Sequence, residues 1–263
     1  MKNRITALFD KNGKNILNIF YTAGFPGLND TKRIAESLQA AGADIIEIGI
    51  PFSDPIADGP TIQESNKIAL DHGMNVALLI EQVKVLRSTV TIPVVLMGYL
   101  NPVMQYGVEK FMRDAAGAGV DGLILPDMPL DEYVKDYQSL AESLNLSVSF
   151  LISPTTSESR IRKIDAVSNG FIYAVSSSST TGAKQEFSED QISYFKKLQS
   201  LGLKNPFLIG FGISSHQTYS QACEYSAGAI VGSAFITALK ESNNLPSDIK
   251  SFVKKIKLGS GRD

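Results

Sequence analysis

Glu47 and Asp58 are the residues of this chain whose type and surroundings point most directly to chemistry. Glu47 stands near the end of an apolar run, with Ile46 and Ile48 on either side. Such neighbours disfavour a charged carboxylate and raise its pKa by desolvation. Asp58 follows on a proline-rich loop, where the Asp58-Gly59-Pro60 turn can fold it back over the strand end. Two carboxylates in unlike environments can divide proton transfer and charge stabilisation between them. Each also has an ordinary alternative, a solvated strand-edge glutamate and an aspartate that only forms a turn.

A second signal lies late in the chain, where Gly210-Phe211-Gly212 and Gly232-Ser233 each end an apolar run and lead into a helix. Glycine lets backbone approach a ligand closely, and a helix start offers unpaired N–H groups and a positive dipole end. Together they read as a phosphate grip, the alternative being tight turns alone. Other chemistries fit worse. A Schiff-base enzyme needs a lysine on a strand, and no predicted strand carries one. A metal site needs several close ligands, yet His72 and His216 are the only histidines and lie far apart, so none is expected. No pattern suggests a nicotinamide, flavin or pyridoxal cofactor bound by this chain.

Eight apolar runs would position these groups: residues 16–21, 43–50, 92–97, 122–125, 147–152, 170–175, 206–209 and 227–231. Helical patterns fall between them at 31–40, 76–88, 108–118, 131–144, 158–167, 189–201 and 215–225, with a last one over about 246–257. Runs this continuous in Val, Ile, Leu and Phe suit strands buried on both faces of a parallel sheet. Eight such units in about 250 residues predict a (β/α)8 TIM barrel, with an open doubly wound sheet as runner-up. An extra N-terminal helix carrying Ile5, Leu8 and Phe9 on one face is expected to cover the barrel's lower end. A short extra helix, 234–239, is expected after strand eight. Residues 1–258 read as one domain and 259–263 as a disordered tail. In such a barrel the chemistry sits at the C-terminal strand ends, where the polar clusters named above collect.

The chain has 263 residues, 25 basic against 27 acidic, and 43% hydrophobic. Those values suit a globular protein with a sizeable core and leave no basic patch for nucleic acid. No stretch approaches the roughly 20 apolar residues of a membrane span. The start lacks a signal-peptide core, and the single cysteine, Cys223, fits a reducing cytoplasm as a buried structural thiol.

The whole run Glu47-Ile48-Gly49-Ile50-Pro51-Phe52-Ser53-Asp54-Pro55-Ile56-Ala57-Asp58-Gly59-Pro60-Thr61-Ile62-Gln63 closely resembles the signature of the tryptophan synthase alpha subunit family. The resemblance extends from the first strand to the last glycines. It implies a lyase that cleaves indole-3-glycerol phosphate into indole and glyceraldehyde 3-phosphate by a retro-aldol step. Glu47 would move protons while Asp58 stays ionised and faces the indole N–H. The match implies that Tyr173 hydrogen-bonds Glu47 or packs on the ligand; a core tyrosine is the alternative. Phe20, Met97, Ile124 and Phe211 are candidates to line an indole pocket, or are barrel filler. Thr22 either positions Glu47 or closes a turn. Gly182, in a lid-like segment after strand six, joins Gly212, Gly232 and Ser233 as a substrate-binding candidate. Here the chain departs from many relatives, with Ser179-Thr180 in place of Gly-Val. The family further implies a beta-subunit partner in an alpha2beta2 heterotetramer, with Asp54 and Asn101 at the contact. Pyridoxal phosphate would sit in that partner, and indole would pass to it through a tunnel. Another phosphosugar barrel isomerase or synthase, or an inert regulatory barrel, are the competing readings.

Overall fold

Chain segments in which almost every residue is apolar can be satisfied only between a packed interior and a covering layer, and the strands obey that rule. The computed structural model describes residues 2–176 and 186–259. In chain order the strands are β1 (Ile16–Thr22), β2 (Ile45–Gly49), β3 (Val94–Met97), β4 (Gly122–Ile124), β5 (Ser147–Ser149), β6 (Leu151–Ile152), β7 (Ile172–Val175), β8 (Phe207–Gly210) and β9 (Gly228–Val231). All pair in parallel, in the order β5-β4-β3-β2-β1-β9-β8-β7-β6. β5 and β6 are two halves of the run expected at 147–152, interrupted at Phe150. One half pairs with β4 and the other with β7, so the order returns on itself. The Phe150 carbonyl still accepts from the Tyr173 N–H at 3.0 Å, which bridges the break.

The helices are α1 (Arg4–Lys11), α2 (Asp30–Ala41), α3 (Pro60–Asp71), α4 (Val76–Leu86), α5 (Leu100–Tyr106), α6 (Val108–Ala118), α7 (Leu130–Glu132), α8 (Gln138–Ser143), α9 (Glu158–Val167), α10 (Glu189–Ser200), α11 (His216–Tyr225), α12 (Ser233–Lys240) and α13 (Leu245–Leu258). A π-helical turn, Tyr133–Tyr137, joins α7 to α8, so the single helix expected at 131–144 is bulged. The expected extra helices are present as α1 and α12. Two more, α3 and α5, occupy the connections after β2 and β3, where no helix was expected. α3 starts with Pro60 in its first turn and buries Ser65, Asn66 and Ala69, so it lacks the apolar stripe that marks a helix in sequence.

Alternation along the strands divides the core in two. Inward-facing Ile16, Ile45, Val95, Ile124, Phe171, Leu208 and Ile230 fill the barrel, and Ile5 of α1 joins them with Leu8 and Phe9 packed alongside. The Phe9 and Phe171 rings stand 6.1 Å apart. Asn3 holds this plug in place. Its Oδ1 caps α1 by accepting from Ile5 N–H at 2.8 Å, and its amide donates to the carbonyls of Asp121 (2.8 Å) and Asn145 (2.7 Å). Outward-facing Leu17, Ile19, Ile46 and Ile48 belong to the second core beneath the helical layer. Cys223, on α11, is half-buried. Gly259 ends α13 with φ 78°, and the rest of the expected tail lies outside the described residues.

Replacing Ile5, which has no exposed surface, by alanine leaves a cavity under the barrel floor. The expected loss is about 2–5 kcal/mol of unfolding free energy, measurable as a lower urea midpoint with little change in slope.

Candidate active site

The barrel interior changes character one layer above its apolar floor. β2 turns Glu47 inward, where the residue has 0% exposure. Its Oε2 accepts from Asn18 Nδ2 at 2.6 Å, and Oε1 has no partner. Burial pushes the Glu47 carboxyl up to about 8, against a smaller downward pull from the Asn18 hydrogen bond. Tyr173 also points inward, from β7. No hydrogen bond to Glu47 is formed, but burial and the two carboxylates Glu47 and Asp58 all hold its phenol well above the ordinary range. That shared influence brings both acids to bear on one region. The ring has room because β8 supplies Gly210 there: a Cβ on Gly210 would stand 2.4 Å from the Tyr173 hydroxyl.

Asp58 is half-buried on the loop between β2 and α3. Its carboxylate accepts from the Tyr99 hydroxyl at 3.3 Å, and that hydroxyl in turn accepts from Ala57 N–H at 3.0 Å. The Tyr99 ring packs 5.2 Å from Phe52, on the same loop. Desolvation raises Asp58 to about 6, partly offset by the Tyr99 bond, so it is ionised at neutral pH while Glu47 is not. Gln63, on α3, donates to the Asp58 carbonyl at 2.8 Å. Thr22 ties β1 to the helix after this loop: its hydroxyl pairs with Ser65 of α3 at 2.7 Å and makes no bond to Glu47.

Further apolar and backbone groups stand at or near the C-terminal ends of the strands. The Phe20 ring, inward on β1, is flanked by two glycines. A Cβ on Gly49 would come within 2.6 Å of it, and one on Gly232 within 3.6 Å. Met97 and Ile124 are register partners on β3 and β4. Phe211 adopts left-handed backbone, φ 68°, and Gly212 follows at φ 74°. That conformation is costly for a side chain as bulky as phenylalanine and clusters at functional sites. Ser176 secures it by donating to the Phe211 carbonyl at 2.8 Å, and the Phe211 ring meets Tyr173 edge-on at 6.1 Å. Next along the rim, α12 begins at Gly232 with no side-chain cap, and Ser233 is exposed. Its first-turn N–H groups and dipole therefore face outward at the C-terminal end of β9, a setting suited to an anion.

The sequence-nominated residues thus fall into three groups. Glu47, Tyr173, Phe20, Met97 and Ile124 face the barrel interior, and Asp58 stands on the loop above β2. Phe211, Gly212, Gly232 and Ser233 lie across the rim after β8 and β9. Asp54 and Asn101 are exposed on the outer rim, bonded only locally to Ser53 and Gln105. Gly182 lies outside the described residues. Asn18, Ser65 and the role of Tyr99 were not anticipated. A single Asn inside the apolar run 16–21 was the available signal for Asn18. Among the described residues, no group of three His, Cys, Asp or Glu is arranged to hold a metal.

Comparison with known proteins finds relatives along nearly the whole chain. A family model described as "Tryptophan synthase alpha chain" matches residues 6–259. The tryptophan synthase alpha chain of Flavobacterium psychrophilum is 52% identical over 254 residues, covering 97% of this chain and 99% of its own. That of Christiangramia forsetii is 51% identical over 255 residues, covering 97% and 98%. Among solved structures, tryptophan synthase of Mycobacterium tuberculosis matches with TM-score 0.88 and 32% identity over 98% of each chain. The tryptophan synthase subunit alpha of Legionella pneumophila gives the same TM-score, 0.88, at 32% identity and 98% coverage of both.

A carboxyl held at about 8 in the fold, against an ordinary 4.5, destabilises the fold progressively as pH rises between those values. The unfolded chain loses the proton in that window and the folded chain keeps it. Glu47→Gln removes the penalty. Its melting temperature should exceed that of the wild type at pH 8 and match it near pH 4.5, checked by calorimetry at both.

Proposed function

The chain belongs to the tryptophan synthase alpha chain family, and we propose that Glu47 and Asp58 perform its lyase reaction on indole-3-glycerol phosphate. The observation that carries this reading is the separation of the two acids: one sealed and neutral near pH 7, one half-buried and ionised. Lysis must place a proton on indole C3, tolerate positive charge at the indole nitrogen and remove the proton of the glycerol hydroxyl.

Neutral Glu47 donates its proton to C3. The ring nitrogen becomes cationic, and the Asp58 carboxylate, facing the N–H, stabilises that charge without taking the proton. The Glu47 carboxylate then accepts the hydroxyl proton. As the O–H electrons form the aldehyde C=O, the carbon–carbon bond breaks and its electron pair restores the aromatic ring. One proton has been given and one taken back, so indole and glyceraldehyde 3-phosphate leave with Glu47 neutral again. Phe20 and the Met97–Ile124 pair would hold the indole plane, and the start of α12 would hold the phosphate.

The partner is proposed to be a beta subunit that receives the indole. Asp54 and Asn101 lie beside Ile56, 90% exposed, and Met104, 62% exposed, so the loop after β2 and helix α5 present apolar side chains that solvent alone does not favour. No helix among the described residues is long and apolar enough to cross a membrane.

Glu47→Gln and Asp58→Asn should each lower kcat for indole release by about 10² or more, measured with and without beta subunit. In the wild type, kcat/KM should decline as pH rises above about 8, where Glu47 surrenders the proton it must donate. Ser233→Asp, which sets a negative charge at the anion end of α12, should raise KM by about tenfold or more and change kcat little, read from steady-state kinetics.

A further inference from the structure

Asn18 is anomalous where it stands. It has 0% exposure, and the interior around it is otherwise apolar: Ile16 below it on β1, Ile45 as its register partner on β2 and Ile230 as its partner on β9. Filler at such a position would be aliphatic, because a buried amide is tolerated only when its hydrogen bonds are made. Asn18 makes one. Nδ2 donates to Glu47 Oε2 at 2.6 Å, and Oδ1 has no partner. The single bond it forms goes to the carboxyl that the proposed reaction requires.

The geometry points to Asn18 as a positioning residue that assigns the two oxygens of Glu47 separate tasks. Oε2, receiving the amide N–H, is the carbonyl oxygen of the neutral acid. The proton therefore sits on Oε1, the buried oxygen with no partner, and Oε1 is the atom that delivers it to indole C3 and takes back the hydroxyl proton. An acid whose O–H has no acceptor in the protein is poised to give its proton to a ligand. Asn18 also limits the rotation of the carboxyl, so that Oε1 stays turned away from β1. Glu47 acts on the phenol of Tyr173, on β7, and Asp58, on the loop above, acts on that same phenol. Among the described residues neither hydrogen-bonds to Glu47, so Asn18 alone discriminates between its oxygens.

This inference rests on Glu47 being the proton carrier, and one set of variants of the full chain, assayed with beta subunit present, separates the two. Glu47→Gln tests the carrier. Asn18→Leu, similar in size but without a donor, and Asn18→Ser, polar but too short to reach Oε2, test the assignment. Circular dichroism and melting curves monitor the fold. With the amide bond gone, the Glu47 carboxylate loses its one stabilising contact, so the alkaline limb of kcat/KM should move up by about one pH unit. At pH 7, kcat should fall about tenfold with KM within about twofold, since the proton is no longer held on the correct oxygen. A folded Asn18 variant whose alkaline limb is unmoved, or moves down, overturns the inference while leaving the lyase reading intact. Failure of both Asn18 variants to fold overturns it too, because the contact would then be a structural one. An unimpaired Glu47→Gln would instead remove the functional reading on which it stands.

Discussion

A single constraint organises the upper half of this molecule: one glutamate is enclosed in a parallel barrel that offers it a single hydrogen-bond donor. Inward strand positions at mid-height are fully desolvated, as Asn18 and Glu47 are at 0% exposure, and the strand order returns on itself around them. A carboxyl held there keeps its proton to about pH 8. Asp58, half-buried on its loop, is raised less far, to about 6. The chemical difference between the two acids is therefore a difference of depth, and depth is set by strand register: Glu47 pairs with Phe20 and Val95, well inside the sheet, while Asp58 lies beyond β2 altogether.

Two strand positions near the acids are shaped by what is missing. Gly210 and Gly49 carry no Cβ at points where one would collide with Tyr173 and Phe20, so two large rings can lean across their neighbours. Phe211 bends in the opposite sense, held in left-handed backbone by the Ser176 hydrogen bond and the edge contact with Tyr173. Ring, glycine and uncapped helix start then follow one another around the rim. Aromatic surface and the uncapped backbone of a helix start are thereby set side by side, the combination that suits the proposed substrate, a flat molecule with a phosphorylated tail.

Much of this was legible in the chain. The apolar runs located the strands because a barrel strand is buried on both faces, and α1 declared itself through Ile5, Leu8 and Phe9 on one face. The interruption at Phe150 was not legible, since a change of pairing partner leaves no mark on side-chain composition. Helices α3 and α5 were missed for a different reason. α3 packs small polar residues against the barrel end, and α5 has only Val103 buried, so neither carries the stripe by which amphipathic helices are found. At the site, Glu47 stood out as charge within an apolar run. Asn18 is an equally polar intruder, but the sequence does not say that it and Glu47 meet; that follows from pairing β1 with β2 and from the inward turn of both. Tyr99 could not be placed without knowing that the β2 and β3 connections lie together.

The two acids also differ in how firmly they are held, and that difference has a consequence for regulation. Glu47 is fixed on a strand by the barrel itself. Asp58 depends on a loop secured by the Tyr99 hydroxyl, by Gln63 and by Thr22 acting at one remove through Ser65. Few of those contacts are apolar, and Ile56, two residues away, projects into solvent at 90% exposure. Loops of that kind sit at the low-stability end of a structure and respond to whatever covers them. A partner that buried Ile56 would act on the loop that carries Asp58 and leave Glu47, on its strand, undisturbed. The fold thus divides its site into a part that is set by folding and a part that remains open to control from outside.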